Sequence, residues 1–333
     1  MAYRVVPYSA INREAYASLL EGCPGATPFH SLEWMRIYEL FSRKACQFLV
    51  CAQEGNRLLA AMPVTVFQQF GIQAVFSSGF GGHGGPIARP GCDTQVLAEL
   101  LKKFATHFRG PRIVLSSVQD FLGFGAPLQD WGFKATRIST HVMPLPNSYE
   151  ELEKRAKSTV RWHVHRAAKA GICVSESRDT DDFERWAHLC SANYIAHGRR
   201  PYPAALYPAV AERIRETDTF RFYAAKLDGR VVGGSVLVCA LGQVYSWMTA
   251  TDPEFRAYSV NDAVLQTIFQ DVIEEGLTGF DFGLSPTGAK GLTSFKEKWG
   301  GVQKDYWQYS YSSSIGGIGA NFVRYGKLSW RPS

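Results

Sequence analysis

A faint internal repeat constrains this chain more than any single motif. Residues Phe48–Val66 read as strand, glycine-containing turn and strand, and Phe222–Val238 read the same way, with Asp228 and Gly229 forming the second turn. Each hairpin is followed by a further strand, an amphipathic helix and a short apolar strand. In the first half these are Gln73–Ser78, Thr94–Phe108 and Arg112–Ser117; in the second they are Val244–Thr249, Asn261–Glu275 and Gly279–Leu284. Ser259, three residues before Asp262, marks the start of the second helix, and Gly276 marks its stop. Hairpins joined to helix–strand crossovers predict an α/β (α+β layered) fold used twice, each lobe a mixed twisted sheet flanked by helices. Pro144, Pro146, Asn147 and Ser148 break the pattern, which places the lobes at 1–146 and 147–333.

A chain of 333 residues can bury two cores of ordinary size, and 46% hydrophobic against 20% charged residues is a globular balance. The net charge of +6 suits an anionic ligand without demanding nucleic acid. Seven cysteines are scattered through apolar runs without the paired spacing of a zinc or redox site, and read as reduced thiols. The eight histidines do not pair with carboxylates at ligand spacing, so no metal site is expected. The first residues lack the basic-then-apolar pattern of a signal peptide, and no stretch approaches the ~20 apolar residues of a membrane span. These features predict a cytoplasmic protein.

Four segments could carry chemistry. The predicted helix 150–170 sets Lys154, Arg155, Lys157, Arg161, His163, His165, Arg166 and Lys169 around an apolar stripe, either a solvated face or a phosphate and RNA contact. The run 79–85 has five glycines around Phe80 and His83, which suits backbone closure on an anion or a close-packed turn. The loop 196–203 carries Arg199, Arg200 and Tyr202, a suitable place to hold a phosphate or carboxylate, or simply a surface helix terminus. The most informative segment is strand 280–284, followed by a glycine-rich turn, a helix over 292–300 with Lys296, and an aromatic strand over 304–311. In an open α/β sheet, ligands bind at the C-terminal ends of strands.

Three of these stretches resemble the FemAB-like branch of the GNAT acyltransferase superfamily. Residues 158–171 are similar to its arginine-rich helix, 279–283 (Gly-Phe-Asp-Phe-Gly) to its Asp-Phe-Gly strand, and 294–301 (Ser-Phe-Lys-Glu-Lys-Trp-Gly-Gly) to its Phe-Lys element. Residues 29–34, ending in Trp34, are similar to its N-terminal motif. The resemblance implies two GNAT-like lobes and transfer of an aminoacyl or acyl group to an amine of a cell-envelope precursor. By the same resemblance Lys296 is the cation that stabilises the tetrahedral oxyanion, and Phe295 positions or shields it. Asp281 is the candidate general base, or else a buried hydrogen-bonded carboxylate.

The resemblance places the precursor against Arg36 or Tyr38 in the first lobe and against Arg199, Arg200, Tyr202, Tyr245 and Trp247 in the second. The spacing from the arginine pair to the next tyrosine departs from the family's, which puts a standard cell-wall precursor in doubt. Residues 253–260 lack the glycines of the loop that holds CoA pyrophosphate in ordinary GNAT enzymes, which favours another donor. No cofactor is implied beyond the activated co-substrate, aminoacyl-tRNA or acyl-CoA. No nucleophile elbow is present, so direct attack by the acceptor amine is the simplest route. Peripheral membrane association is compatible with such an acceptor. Two other readings remain: an N-acyltransferase using acyl-CoA or an acyl carrier on an amino sugar or lipid in exopolysaccharide synthesis, and a non-catalytic RNA-binding module on a degenerate transferase fold.

Overall fold

The computed structural model describes residues 1–69, 72–108, 112–117, 128–286 and 288–312. It divides into two compact units, one of residues Met1–Ile138 together with the strand residues from Asp305 on, the other of residues Ser139–Lys304.

In the first unit β1 (Ala2–Pro7), β2 (Ala45–Glu54), β3 (Arg57–Gln69) and β4 (Ile72–Phe76) form an antiparallel run, with β5 (Ile87–Ala88) on the flank of β3. Beyond β4 lies β6 (Arg112–Ser117), parallel to it as a helix crossover requires. The crossover helix, α3 (Thr94–His107), follows α1 (Arg13–Glu21) and α2 (Leu32–Phe41) in the chain. It buries Val96, Leu97, Leu100, Leu101 and Phe104, a single stripe at helical spacing, against Val50, Met62, Val64 and Val75 of the sheet. The strand β7 (Lys134–Pro144) then leads out of this unit.

The second unit begins with two helices, α4 (Tyr149–Arg155) and α5 (Ser158–Lys169), where the sequence predicts one. The break comes at Lys157, whose backbone is extended and donates its N–H to the Lys298 carbonyl at 2.9 Å. Tertiary pairing thus overrides a strong helical pattern. After β8 (Cys173–Glu176), α6 (Thr180–Ala196) and α7 (Leu206–Glu216) come the hairpin β9 (Phe220–Leu227) and β10 (Arg230–Ala240). The turn residues Asp228 and Gly229 both have positive φ, as a type I′ turn needs. β11 (Gln243–Thr251), α8 (Val260–Glu274) and β12 (Gly279–Leu284) complete the repeat, with β12 parallel to β11. α8 buries Val264, Ile268, Phe269 and Val272 with Phe280 and Trp299.

The sixth strand of each unit departs from the expected lobes. A linear duplication would add β7 to the first sheet and β13 (Val302–Ser312) to the second. Instead β13 pairs with β6, Trp307 opposite Ser117, and β7 pairs with β12, Val142 opposite Asp281. The compact units divide within β7, between Ile138 and Ser139, and again between Lys304 and Asp305, whereas the sequence places the junction at 146/147.

Candidate functional site

The parallel ladder between β11 and β12 is short. It joins Gln243 to Gly279, Val244 to Phe280 and Tyr245 to Asp281, and then stops although both strands continue. Two local features end it. β11 carries an extra residue, Trp247, between the positions paired with Leu237 and Val236 of β10. β12 turns at Gly283, where φ is +76° and a side-chain carbon would stand 2.8 Å from the Ser246 carbonyl oxygen, so only glycine fits. The ladder therefore stops short of the C-terminal ends of both strands, where open α/β sheets place ligands.

A polar node fastens the turned end of β12. The Asp281 carboxylate accepts the Gly283 N–H at 2.8 Å and is also bonded to the Thr140 hydroxyl, which lies 2.8 Å from the Gly283 carbonyl oxygen. Lys296, on α9 (Lys290–Lys298), is 3% exposed and places its ammonium 2.6 Å from the Gly283 carbonyl, 2.8 Å from that of Leu284 and 3.0 Å from Ser285 Oγ. Its three protons thus have three acceptors. Ser285 Oγ in turn lies 2.7 Å from His141 Nδ1. Burial pulls the Lys296 ammonium down to about 8, opposed by the Asp281 charge. Burial also pushes Asp281 up to about 6, against the Thr140 and Gly283 hydrogen bonds and the charges of Lys296 and Lys304. His141 is lowered, by burial first and by Lys296 second. A cation held this way can stabilise negative charge developing nearby without reorganising.

The structure gathers several of the predicted residues here. Tyr245 pairs across the ladder with Asp281, and its ring is the next neighbour of Gly283 after Ser246. Trp247 packs edge-on to Tyr202 at 5.8 Å, and Tyr202 against Tyr194 at 5.3 Å. Burial raises the Tyr202 hydroxyl well above its ordinary value, with Tyr194 and Tyr245 adding to the shift. Arg199 and Arg200 are exposed beside this aromatic group, where the Arg199 N–H closes the end of α6 on the Tyr194 carbonyl. Phe295 points elsewhere on α9: it packs on the core around α8 and lies under the Lys298 ammonium at 4.7 Å.

The remaining predicted residues are not part of this node. Arg161 and Arg166 stand exposed on α5, Arg166 over the ring of Trp162, itself 58% exposed. In the first unit Arg36 pairs with Glu39 on the surface of α2, whereas Tyr38 is buried, accepts the Gly79 N–H at 2.7 Å and stacks on Phe80. The glycine run is a packing device: a side chain on Gly82 would meet Ser78 and Phe29, and His83 is wedged between Phe29 and Tyr306. His141, Ser285, Thr140 and Tyr194 were not anticipated. Only Ser285, directly after the Asp-Phe-Gly strand, carried a positional signal.

At the N-terminus of α8, Ser259 has a left-handed backbone, φ +58°, and its side chain bonds His163 Nδ1 at 2.9 Å instead of capping the helix. The first turn already holds the buried Asp262 carboxylate, bound by Lys298 and by Trp299 Nε1. Among the described residues no three His, Cys, Asp or Glu side chains are placed to hold a metal ion, and no helix is long and apolar enough to cross a membrane.

Sequence comparison accounts for the central part of the chain: residues 154–297 match the family described as the acetyltransferase (GNAT) domain. This segment is a GNAT domain. No curated protein matches the chain by sequence. Among solved structures, FemX superposes with a TM-score of 0.73 at 15% identity, covering 96% of this chain and 99% of FemX. The C-terminal domain of a putative lysylphosphatidylglycerol synthetase from Agrobacterium fabrum superposes with a TM-score of 0.61 at 13% identity, covering 96% and 98%. A tandem GNAT protein from the clavulanic acid biosynthesis pathway gives 0.53 at 11%, covering 93% and 98%. At such identities the likeness is one of fold. The GNAT domain carries the acyltransferase framework, and β11, β12 and α9 are its parts that form the polar node.

Proposed function

We propose that this chain is an N-acyltransferase that moves an aminoacyl or acyl group onto an amine of a cell-envelope precursor. The observation that carries the reading is the Lys296 ammonium, buried and fixed at the end of β12, beyond the point where the β11–β12 ladder stops, within the segment that matches the GNAT domain. In the reaction the amine lone pair forms the new C–N bond while the carbonyl π pair moves to oxygen. On collapse that pair returns, the bond to the leaving oxygen or sulfur breaks, and the leaving group takes the proton lost by the amine. The buried positive charge favours the intermediate oxyanion. The aromatic group of Tyr202, Tyr245 and Trp247, with Arg199 and Arg200 at its edge, is the candidate surface for an acceptor that presents both apolar and anionic groups.

A donor other than CoA is supported by the crowded start of α8, where Asp262 already occupies the first turn that would face a pyrophosphate. Aminoacyl-tRNA fits better, with Arg161 and Arg166 beside the exposed Trp162 as its phosphate contacts. The test is donor dependence. Purified protein is given an amine acceptor with labelled aminoacyl-tRNA, acyl-CoA or acyl carrier protein in turn. Product with aminoacyl-tRNA alone is the expected result; product from acyl-CoA without tRNA would sink the tRNA-dependent version. RNA binding with no transfer from any donor would favour the non-catalytic module.

A further inference from the structure

We propose that His141 presents its Nε2–H to the acyl carbonyl oxygen as an oxyanion donor, and that Ser285 and Lys296 hold it in the tautomer that makes this possible. The inference rests on the acyl-transfer reading and goes beyond it by naming the group that touches the reacting oxygen.

The hydrogen-bond directions follow from what each group can do. An ammonium only donates, so at the 3.0 Å contact Lys296 gives a proton and Ser285 Oγ accepts. Ser285 Oγ has one other partner among the described residues, His141 Nδ1 at 2.7 Å. A protonated Nδ1 would leave the hydroxyl proton without an acceptor, whereas a bare Nδ1 takes it, so satisfying Ser285 puts the ring proton on Nε2. His141 is 0% exposed, and its Nε2 has no hydrogen-bond partner among the described residues. A buried N–H left without an acceptor is costly, and in native proteins such groups are few. Here one stands at the end of a chain that begins on a buried cation, on β7, which flanks the turned end of β12 on the side away from β11.

His30, in the first unit, shows the same ring completed. It is also buried, its Nδ1 accepts the Thr27 N–H at 3.0 Å, and its Nε2 lies 2.8 Å from the Gly85 carbonyl oxygen. The two rings have the same tautomer, but only His30 has an acceptor built in. At the Lys296 node the ammonium protons are already committed to Gly283, Leu284 and Ser285, so the lysine contributes charge and Ser285 contributes orientation. The uncommitted donor is His141 Nε2, and an oxygen that gains negative charge during transfer is the acceptor it fits.

The experiment has a structural arm and a kinetic arm. In protein labelled with 15N-histidine, nitrogen NMR is expected to show His141 as the Nε2–H tautomer, matching His30, and Ser285→Ala to mix the His141 tautomers while leaving His30 unchanged. An Nδ1–H ring in the wild type would overturn the proposal. With whichever donor supports turnover, His141→Phe is expected to lower kcat about 100-fold with KM nearly unchanged, as loss of one oxyanion donor does. His141→Gln, whose amide N–H can reach the same place, is expected to retain most of the rate. Wild-type kcat in His141→Phe would overturn the proposal while leaving acyl transfer standing. Absence of turnover by the wild type with all three donors would sink acyl transfer, and this inference with it. Should His141→Phe not fold, Ser285→Ala carries the kinetic arm, with a kcat loss of about tenfold expected and an unchanged kcat overturning the claim.

Discussion

The two units share a strand plan, and a buried histidine in each, His30 in the first and His141 in the second, is partnered differently. Each sheet runs as an outer strand, a hairpin, a third antiparallel strand, a parallel crossover strand and a borrowed sixth strand. In the first unit His30 has both nitrogens bonded, the Tyr38 hydroxyl takes the Gly79 N–H, and the exposed Asp93 caps α3 at Gln95 N, while the buried Gln47 Nε2 has no hydrogen-bond partner among the described residues. In the second, His141 keeps a donor free, a lysine is buried, and Ser259 is strained at a helix start that no side chain caps. Natural sequences break local rules mainly where function requires it. On the proposed reading the chemistry lies in the second unit, around Lys296 and His141.

Two substitutions, one in each unit, test that reading directly. Lys296→Ala should lower turnover tenfold or more, ~1.4 kcal/mol or above in the barrier. Gly82→Ala places a methyl group against Ser78 and Phe29 and should cost about 2–3 kcal/mol of folding stability while turnover per folded molecule stays the same. Steady-state kinetics alongside urea melts separate the two. If Gly82→Ala impairs turnover as much as Lys296→Ala does, the first unit is part of the chemistry and the contrast fails.

A pH effect sharpens the same point. Lys296 falls to about 8 in the folded protein from 10.5, so between these values the unfolded chain holds a proton that the folded one lacks, and stability should rise with pH. Asp281 rises to about 6 from 3.8, so across that window the folded state holds the extra proton, and stability should fall as pH rises. Each change should amount to on the order of 3 kcal/mol across its window. Urea midpoints against pH for Lys296→Met and Asp281→Asn should each lose one slope and keep the other. Survival of both slopes in both variants would place the titrating groups elsewhere.

Much of this framework was legible in the sequence. Hairpins, crossover helices and crossover strands appear because local period and turn chemistry fix them, and the Asp-Phe-Gly and Phe-Lys stretches drew attention to Asp281 and Lys296. Strand partners were not legible, since period says that a residue lies in a strand and nothing of which strand lies beside it. The borrowed strands β7 and β13 follow from that, and so does His141: it reaches Ser285 only because β7 runs beside β12, with Thr140 opposite Leu284. Phe295 shows a complementary limit. A motif names adjacent residues, but on a helix neighbours point about 100° apart, so Phe295 joins the core while Lys296 reaches β12.

The smallest expected effect compares the two helix starts. Asp93 accepts the Gln95 N–H at 2.8 Å, so Asp93→Ala should cost about 1 kcal/mol, the usual worth of a cap. Ser259 caps nothing, and its left-handed backbone is one that glycine adopts without strain. Ser259→Gly exchanges that strain for the loss of the His163 hydrogen bond, so the two terms nearly cancel and leave a gain of about 0.5 kcal/mol at most. Ser259→Ala keeps the strain and loses the bond, and should fall below both wild type and Ser259→Gly. Thermal melts of the three variants check the order. A loss in Ser259→Gly equal to that in Asp93→Ala would mean that both helices start alike, and that the second unit holds no strain there.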